Sequence, residues 1–375
     1  MDRIPFSPDE LVEAGTFPSA TGVMPGAVKF STPISPKDNY FAAIKKENPL
    51  WMIKGGDTAM FAPRVVPDNF ARVFVVERQM QTDEEKEFVA TVGSPDMFGI
   101  MWEYVPVTGG SIVRPGLPAL DDANNWKDVI TFPDLDSYDW EGAREANIEL
   151  FGTEQALNTW QLNGMFERLI SWMDFENAAM ALIDDEQKDA LHEIFDKLAD
   201  LYIDLAAKYK EYFRMDYFYF HDDWGSQRSP FFSLATAREM LVPPLKKIVD
   251  ACHDMGMLVE FHSCGANAKL VPAMIEIGFD VWNGMSLIND KAAIWEEYGD
   301  QIVIGFGAAD IGLVGMEVTE EAAIAAAEAF VEKYGPTYSE KPVIVGAPFG
   351  PAGAAFNKVI YENSRKMFAG LEAAE

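Results

Sequence analysis

The chain has 375 residues, of which 49% are hydrophobic, so it can bury one large core or two ordinary ones. Its 60 acidic and 30 basic residues give a formal net charge of -30, which disfavours nucleic acids, anionic membrane surfaces and polyanionic ligands. The two cysteines are too few for a disulfide framework, and the sequence has no apolar run long enough for a membrane span.

The order of the predicted elements indicates an arm followed by one domain. Residues 1–48 are rich in Pro, Gly, Ser and Thr and predict an irregular arm packed on a single catalytic domain, residues 49–375. The predicted strands are Leu50–Lys54, Val73–Val76, Phe98–Tyr104, Tyr217–His221, Leu258–His262, Asp280–Trp282, Ile302–Phe306 and Val343–Val345. The predicted helices are Thr153–Ile183, Glu186–Phe213, Ala235–Met255, Ala268–Ile277, Thr319–Tyr334 and Lys358–Leu371.

Strands that alternate with helices pair in parallel through crossover connections. The early strands are not followed by the GxGxxG or GxxxxGK[ST] patterns of nucleotide-binding open sheets. Several strands instead end in polar or aromatic residues, which is where a barrel carries its active site. We therefore expect an α/β protein with a (β/α)8 TIM-barrel fold.

The segment LVEFHSCG ends a predicted strand with His262 and Cys264. Residues two apart on a strand share a face, with Cα atoms roughly 6.6 Å apart, so both side chains can bind one zinc ion. Alternatively, the two residues are a hydrogen-bonded histidine and a buried thiol at the barrel rim. Cys252, within a helical pattern, is expected in the core. The candidates for a third zinc ligand are His221, Asp222, Asp223, Glu260 and Asp310.

The segment YFYFHDDWGSQRS joins an apolar strand to two adjacent carboxylates. Adjacent carboxylates repel, so one can keep a raised pKa and serve as a general acid, or both can attract a metal. We predict that Asp222 and Asp223 are catalytic together with His262, and that Trp224 and Gln227 bind substrate. In the alternative interpretation, one carboxylate caps the next turn and the tryptophan only packs.

The segment FGIMWEYVPVTGGSIVR ends another predicted strand with Trp102, Glu103 and Tyr104. Aromatic side chains at a strand end can form the walls of a site for a flat apolar substrate. We predict these three residues and Trp282 as substrate-binding. The alternative is that the aromatic side chains belong to the ordinary core.

The HSCG motif, followed by a helix and by IGFDVWNG, resembles the uroporphyrinogen-decarboxylase-like superfamily. The segments DDWGSQRSP and PPLKKI match the superfamily in the same order, and the resemblance extends from about residue 48 to the C-terminus. It implies a (β/α)8 barrel with its active site at the carboxyl ends of the strands.

Two activities of this superfamily compete. The decarboxylases are arginine-rich after the first strand, where this chain has PLWMIKGGD, with one lysine and an added acid. A substrate with many carboxylates is therefore disfavoured. The corrinoid-dependent methyltransferases bind zinc at an HxC motif, which His262 and Cys264 match. Some members carry another cysteine near the last strand, where this chain has Ala347, so an oxygen ligand has to replace it.

The segment around Trp102–Tyr104, with GGSIVRPG and DLDSYDWEG, resembles members that demethylate methoxylated aromatic compounds. This implies transfer of a methyl group from an aromatic methyl ether to the cobalt of a separate corrinoid protein, since the chain has no DxHxxG cobalamin-binding segment. The implied cofactors are zinc and the corrinoid carried by the partner. Zinc, or a proton from Asp222 or Asp223, would stabilise the departing phenolate.

The alternatives are methyl transfer between a methylated corrinoid and a thiol, a decarboxylase-like lyase, and a barrel that binds a tetrapyrrole without catalysis.

The N-terminus lacks the apolar region of a secretory signal, so we expect a cytoplasmic protein. The sequence predicts no nucleic-acid or membrane partner and leaves a homodimer open.

Overall fold

The structure is a computed structural model that describes residues 3–21, 26–107, 109–315 and 317–370. The strands are β1 (Glu13–Thr16), β2 (Val28–Phe30), β3 (Thr58–Phe61), β4 (Ser94–Pro95), β5 (Met101–Val105), β6 (Gly110–Val113), β7 (Ala156–Gln161), β8 (Tyr217–His221), β9 (Leu258–Ser263), β10 (Val281–Gly284), β11 (Val303–Phe306) and β12 (Val343–Val345). The helices are α1 (Pro36–Ile44), α2 (Pro67–Ala71), α3 (Asp83–Thr91), α4 (Trp126–Val129), α5 (Trp140–Ala146), α6 (Met165–Ala181), α7 (Lys188–Phe213), α8 (Leu234–Thr236), α9 (Val242–Asp254), α10 (Val271–Ile277), α11 (Lys291–Tyr298), α12 (Glu320–Tyr334) and α13 (Gly350–Gly370).

Seven parallel strands form the central sheet, in the order β3-β7-β8-β9-β10-β11-β12. Each strand therefore pairs with the next central strand along the chain, and helices pack around the sheet. The register places Tyr219, Glu260 and Val281 side by side across β8, β9 and β10. The predicted α/β fold with a parallel, barrel-like sheet is confirmed, with seven strands in place of the eight expected.

The Tyr338 side chain links the start of β12 to the segment that precedes β3. The hydroxyl of Tyr338 accepts a hydrogen bond of 2.9 Å from the Ile53 amide and donates one of 3.1 Å to the Val343 carbonyl at the start of β12. The Met52 amide donates to Ser364 at 3.0 Å. The predicted strand at residues 50–54 is wrong, because these amides bond to side chains and not to a neighbouring strand.

Helix α7 shows why the long helices form where the sequence predicts them. Leu191, Ile194, Leu198 and Leu201 recur at three- and four-residue steps, and all four are buried. Burial of each such side chain contributes about 1.5–3 kcal/mol relative to exposure. The helix ends at Arg214, whose φ of 56° is left-handed. The observed bounds differ from the prediction by two residues at the N-terminus.

The region before α6 differs from the prediction. Residues 156–161 form β7, although the apolar pattern predicts one helix from residue 153 to 183. The strand ends at Gln161, the chain turns at Asn163, whose φ is 65°, and Gly164 precedes the first residue of α6. A Cβ atom at Gly164 would lie 2.4 Å from the Asp222 side chain, so only glycine fits. Strand β3 was also not predicted.

Two predicted barrel strands lie outside the central sheet. The segment predicted as Phe98–Tyr104 contains β5, which pairs antiparallel with β4 and β6 in a separate small sheet. The second segment, residues 73–76, forms no strand; its residue Val76 makes one isolated antiparallel bridge to Ala62. Both segments have the composition of strands, but they are part of the long β3–β7 connection, which places β5 and β6 above the barrel.

The N-terminal segment packs on the barrel through helix α1 and a buried ion pair. The ring of Tyr40 stacks on Tyr217 at 5.1 Å, and Glu10 pairs with Arg365 at 2.7 Å. Residues 1–2 and 22–25 of the predicted arm, and Leu371 at the end of the last predicted helix, lie outside the described residues. Within the described part of the chain, no helix has both the length and the apolar character needed to cross a membrane.

Candidate metal centre and active site

Four side chains with metal-binding atoms meet at the carboxyl ends of β8 and β9. His221 ends β8, and Asp223 follows two residues later; His262 lies in β9, and Cys264 follows its last residue. The donor atoms of the two histidines and Asp223 all lie within 4.8 Å of one another. The Nε2 atom of His262 lies 3.4 Å from Sγ of Cys264. We call these four residues the cluster.

The cluster fits a zinc ion. Zinc–ligand bonds of about 2.0–2.3 Å place the ligand atoms of a tetrahedral site roughly 3.3–3.8 Å apart. The separation of 3.4 Å between His262 and Cys264 matches this range, as does the 3.8 Å between Nε2 of His221 and Oδ1 of Asp223. The nitrogen and oxygen atoms of His221, Asp223 and His262 form a ligand set that zinc accepts, with a fourth position left for the Cys264 sulfur or for a substrate oxygen.

Charged side chains outside the cluster orient His221. Oε2 of Glu167 lies 2.7 Å from Nδ1 of this histidine, which leaves Nε2 for the cluster. Glu167 also pairs with Arg72 at 3.2 Å, and Arg72 donates to Asn163. Although burial opposes the ionised form, the charges of Arg72 and His221 hold the pKa of Glu167 at about 2. The glutamate is therefore an anion that can accept a hydrogen bond from the imidazole N–H.

Burial controls the protonation of the two predicted metal ligands. Burial and then the charge of His221 lower the pKa of His262 to about 3, so its imidazole is neutral and can bind a metal. Burial and then the carboxylate of Asp223 raise the pKa of the Cys264 thiol to about 12. The thiol therefore becomes a thiolate at neutral pH only when a cation replaces its proton.

Asp222, predicted as a catalytic residue, lies beside the cluster but serves the backbone. Its carboxylate accepts the amides of Phe166 at 3.0 Å and Glu167 at 2.8 Å, and the indole N–H of Trp224 at 2.9 Å. Its side chain is fully buried. Burial, and then the charge of Glu167, raise its pKa to about 7. The structure thus gives Asp222 a capping role at the start of α6, without access for a substrate.

Three residues predicted to bind substrate lie away from the cluster. Trp224 is fully buried, with its ring 4.7 Å from that of Phe261. Trp282 pairs in register with Phe261, so it lies on the same outward face of the sheet and packs under the helices. Gln227 is exposed in the loop after β8. The two tryptophans are core residues, which corrects their prediction as substrate contacts.

Glu260 and Asp310, predicted as further ligands, also lie outside the cluster. Glu260 is buried deeper in the barrel, where Asn283 donates to it. Burial raises the pKa of Glu260 to about 8, although this hydrogen bond opposes the shift. Asp310 pairs with Lys291 at 2.8 Å and accepts the Gly307 amide at 2.7 Å. The donor atoms of His221 and Asp223 instead lie within 4.8 Å of those of His262, which makes these two residues the candidates for the remaining ligands.

A cavity of about 750 Å³ lies between the β5–β6 hairpin and α6. We call it the hairpin cavity, and its volume is in the range of small-molecule sites. Its apolar walls are Trp102, Ile112, Val113, Ile170 and Phe175, and its charged lining residues are Glu167, Asp174 and Glu176. Glu167 lies between this cavity and the cluster, since it lines the cavity and also bonds to His221.

The predicted aromatic strand end contributes one wall of this cavity. Trp102 lines it and donates its indole N–H to Asp96 at 2.9 Å, while the Arg72 guanidinium lies 4.7 Å from its ring centre. Glu103 points to the opposite face of β5 and pairs with Arg114. Tyr104, on the Trp102 face of the strand, is half-buried.

A second cavity, of about 410 Å³, lies inside the barrel below the cluster. Its lining includes Trp160, whose ring stacks on Tyr219 at 4.0 Å. The same ring lies 6.1 Å from His221 and 6.3 Å from His262. Its polar lining residues are Asn158, Glu260, Asn283, Ser286 and Lys291. This interior cavity is therefore more polar than the hairpin cavity.

Of the comparisons with known proteins, the one with solved structures supports the fold. No family profile matches the sequence, and no curated protein matches it. The structure is similar to a methyltransferase from Methanosarcina mazei, with a TM-score of 0.58 and 15% identity over 89% of this chain and 99% of that chain. This chain has a TIM-barrel-like α/β fold.

Two further solved structures show weaker similarity to this TIM-barrel-like chain. The catalytic domain of an endo-β-1,4-mannanase from Bacillus sp. JAMB-750 has a TM-score of 0.39 and 9% identity, over 96% of this chain and 94% of that one. Old Yellow Enzyme from Pichia sp. AKU4542 has a TM-score of 0.36 and 11% identity, over 95% and 86%. Scores this low carry no argument about function.

Sequence reasoning did not find Arg72 or Asn163, and it did not place Glu167. The Asn163–Gly164 pair is a turn signal that could have marked the start of α6 and hence an acid in its first turn. Arg72 lies in an irregular connection, and nothing in the local sequence distinguishes it from a surface arginine. Its role depends on the tertiary contact with Glu167.

Proposed function

We propose that this protein is a zinc-dependent methyltransferase that takes the methyl group of a methoxylated aromatic compound and passes it to the cobalt of a separate corrinoid protein. The observation that carries the proposal is the group of His221, Asp223, His262 and Cys264 beside the hairpin cavity. The similarity in fold to a methyltransferase supports methyl transfer in general.

The reaction breaks the bond between the methyl carbon and the ether oxygen. The electron pair of this bond remains on the phenol oxygen, and Co(I) of the corrinoid supplies the pair for the new bond to carbon. Phenolate is a poor leaving group at neutral pH, so the site needs an electrophile or an acid. Zinc, when bound by the cluster, supplies a Lewis acid for this oxygen.

The residues of the chain bind and orient the reactants. Trp102 and Phe175 provide flat apolar surfaces for the aromatic ring in the hairpin cavity. Glu167 holds His221 in the tautomer whose Nε2 faces the cluster. These walls also limit the water that could compete for the methyl group.

Of the two predicted acids, the geometry favours Asp223. Its side chain is 32% exposed and lies in the cluster, whereas Asp222 is fully buried and bonded to backbone amides. Burial, and then the charge of Glu167, raise the pKa of Asp223 above its ordinary value. As a zinc ligand Asp223 is ionised, so the bound metal, rather than a proton from Asp223, stabilises the departing oxygen.

The decarboxylase alternative loses support from the first predicted strand segment. The ammonium group of Lys54 lies 2.6 Å from Asp57, and both side chains are buried. The one lysine of PLWMIKGGD is thus already neutralised within the chain. A substrate with several carboxylates would be left without a compensating charge there.

The test is a methyl-transfer assay with purified, zinc-loaded protein, guaiacol as donor and cob(I)alamin as acceptor. We expect the appearance of methylcobalamin in the absorption spectrum together with an equal amount of catechol. The His262→Ala/Cys264→Ala double variant should lose this activity, while Cys252→Ala, at the buried cysteine of α9, should retain it. Turnover that survives the double substitution would contradict the proposal. Methylation of an added thiol from methylcobalamin, without catechol formation from guaiacol, would support the thiol alternative instead.

A further inference from the structure

We infer that the hairpin cavity selects methoxylated aromatic compounds that are uncharged or cationic and rejects those that carry a carboxylate. This inference rests on the proposed function, because it names the substrate class of the same site. The first observation is the sign of the charges: the charged lining residues are Asp174, Glu176 and Glu167, and the last of these is paired with Arg72 and His221. The described lining residues include no lysine, arginine or histidine.

The nearest cationic side chains already have anionic or carbonyl partners. Arg72 pairs with Glu167 and lies over the Trp102 ring. Arg114 pairs with Glu103 on the outer face of the hairpin and donates to the Val92 carbonyl. A substrate carboxylate in the cavity would therefore have to displace one of these contacts to find a cation.

Local structure fixes one of the three carboxylates in place. Oδ2 of Asp174 accepts the Gly116 amide at 2.8 Å, which ties α6 to the segment after β6. Asp174 has a φ of 61° and a ψ of 163°, a backbone conformation found almost only at glycine. The side chain is therefore held at the cavity wall and does not turn freely away from an incoming anion.

The apolar walls of the hairpin cavity also favour an uncharged or cationic aromatic ligand. The apolar lining of Trp102, Ile170 and Phe175 suits an aromatic ring, and it lowers the local dielectric constant. Charges interact more strongly in such surroundings than in water. An ionised carboxylate on the ring would lose its hydration and meet like charges. An ammonium group would meet opposite charges, and the faces of the aromatic walls attract cations.

The experiment compares three ligands that share one ring: guaiacol, 4-hydroxy-3-methoxybenzoate and 4-hydroxy-3-methoxybenzylamine. Their dissociation constants for the zinc-loaded protein are measured by isothermal titration calorimetry at neutral pH and low salt. We expect the benzoate to bind at least about tenfold more weakly than guaiacol, which corresponds to about 1.4 kcal/mol. The benzylamine should bind at least as tightly as guaiacol. Equal or tighter binding of the benzoate would overturn the inference, and so would the absence of binding by all three.

Substitutions then separate the local charges from the overall charge. The Asp174→Asn/Glu176→Gln variant should reduce the ratio of the benzoate and guaiacol dissociation constants several-fold. The Glu320→Gln/Glu321→Gln variant, at the exposed start of α12, changes the net charge equally and should leave the ratio unaltered. An equal effect of both variants would contradict selection by the cavity. Failure of guaiacol to react, with the binding order as expected, would overturn the proposed reaction alone.

Discussion

The carboxylate of Glu167 lies 2.7 Å from Nδ1 of His221, so the imidazole can direct only its other nitrogen into the cluster. A carboxylate in this position fixes the tautomer of a histidine ligand and makes the ligand more basic. The Arg72 guanidinium, 3.2 Å away on the other side, helps to keep Glu167 ionised. The candidate metal centre thus brings together residues from four separate segments of the chain.

Replacement of Glu167 by Gln should weaken zinc binding about 10–100-fold, because the histidine loses its anionic partner. The measurement is competition for zinc with a chromophoric chelator. Glu176→Gln, a change of the same kind in the same helix at a residue outside the cluster, is the control and should retain the native affinity. Equal affinities of the two variants would show that the contact with His221 does not tune the site.

Zinc content should distinguish the ligands from the buried acids. We expect about one zinc per chain in the native protein and loss of the metal in His221→Ala and in Asp223→Ala. Glu260→Gln and Asp310→Asn should keep the metal, because these carboxylates bond to Asn283 and Lys291 respectively. The zinc content of each variant is measured by elemental analysis after dialysis. Loss of zinc in Asp310→Asn would indicate that the metal site lies closer to β11.

Arg168 should be among the most sensitive positions for stability. Its buried guanidinium pairs with Asp68 and Asp96, both of which are also buried. Arg168→Met leaves two carboxylates without their cation, and should lower the free energy of unfolding by about 3–5 kcal/mol. The exposed pair of Arg238 and Glu276 provides the control, since Arg238→Met should cost at most about 1 kcal/mol. Urea denaturation of both variants measures the difference; similar losses would contradict this interpretation.

His253 should make a small, pH-dependent contribution to stability. Its hydrogen bond to Asp280, 2.8 Å long, raises the pKa of His253 above its ordinary value of 6.5, although partial burial opposes the shift. A histidine whose pKa is higher in the folded than in the unfolded protein stabilises the fold. This contribution is complete when the pH is below the pKa of the unfolded state, and it is lost as the pH rises above the pKa of the folded state. The ring is 38% exposed, so we expect less than about 1 kcal/mol.

The measurement for His253 is the difference in unfolding free energy between the native protein and His253→Gln, at about pH 5.5 and about pH 8.5. The difference should be larger at the lower pH. A difference for His253→Gln that grows as the pH rises would contradict the assigned shift.

Local patterning predicted the last five strands of the central sheet, β8 to β12. Strands β8 and β12 have the predicted bounds, and β9, β10 and β11 differ by one or two residues, because each is a short apolar run between turns. Strand β7 was assigned to a helix because its apolar residues continue the spacing of α6. Strand β5 has the composition of a barrel strand, and only its long-range pairing with β6 places it elsewhere.

The part of the candidate site that lies on a single strand could be predicted from the sequence. His262 and Cys264 lie two residues apart, so the sequence alone places them on the same face. The sequence also offered His221 and Asp223 as ligand candidates, but only the alignment of β8 with β9 brings them to the cluster rather than Glu260. Contacts such as that of Arg72 with Glu167 join residues far apart in the chain, and no local pattern encodes them.

The backbone of Asp174 bears on how this protein could be engineered. A residue other than glycine costs about 1–3 kcal/mol in such a conformation. Glycine at this position would relax the helix kink and raise thermal resistance, but it would remove the carboxylate that lines the hairpin cavity. A laboratory selection for heat tolerance alone would therefore favour Asp174→Gly, and the resulting protein would discriminate less well among its ligands.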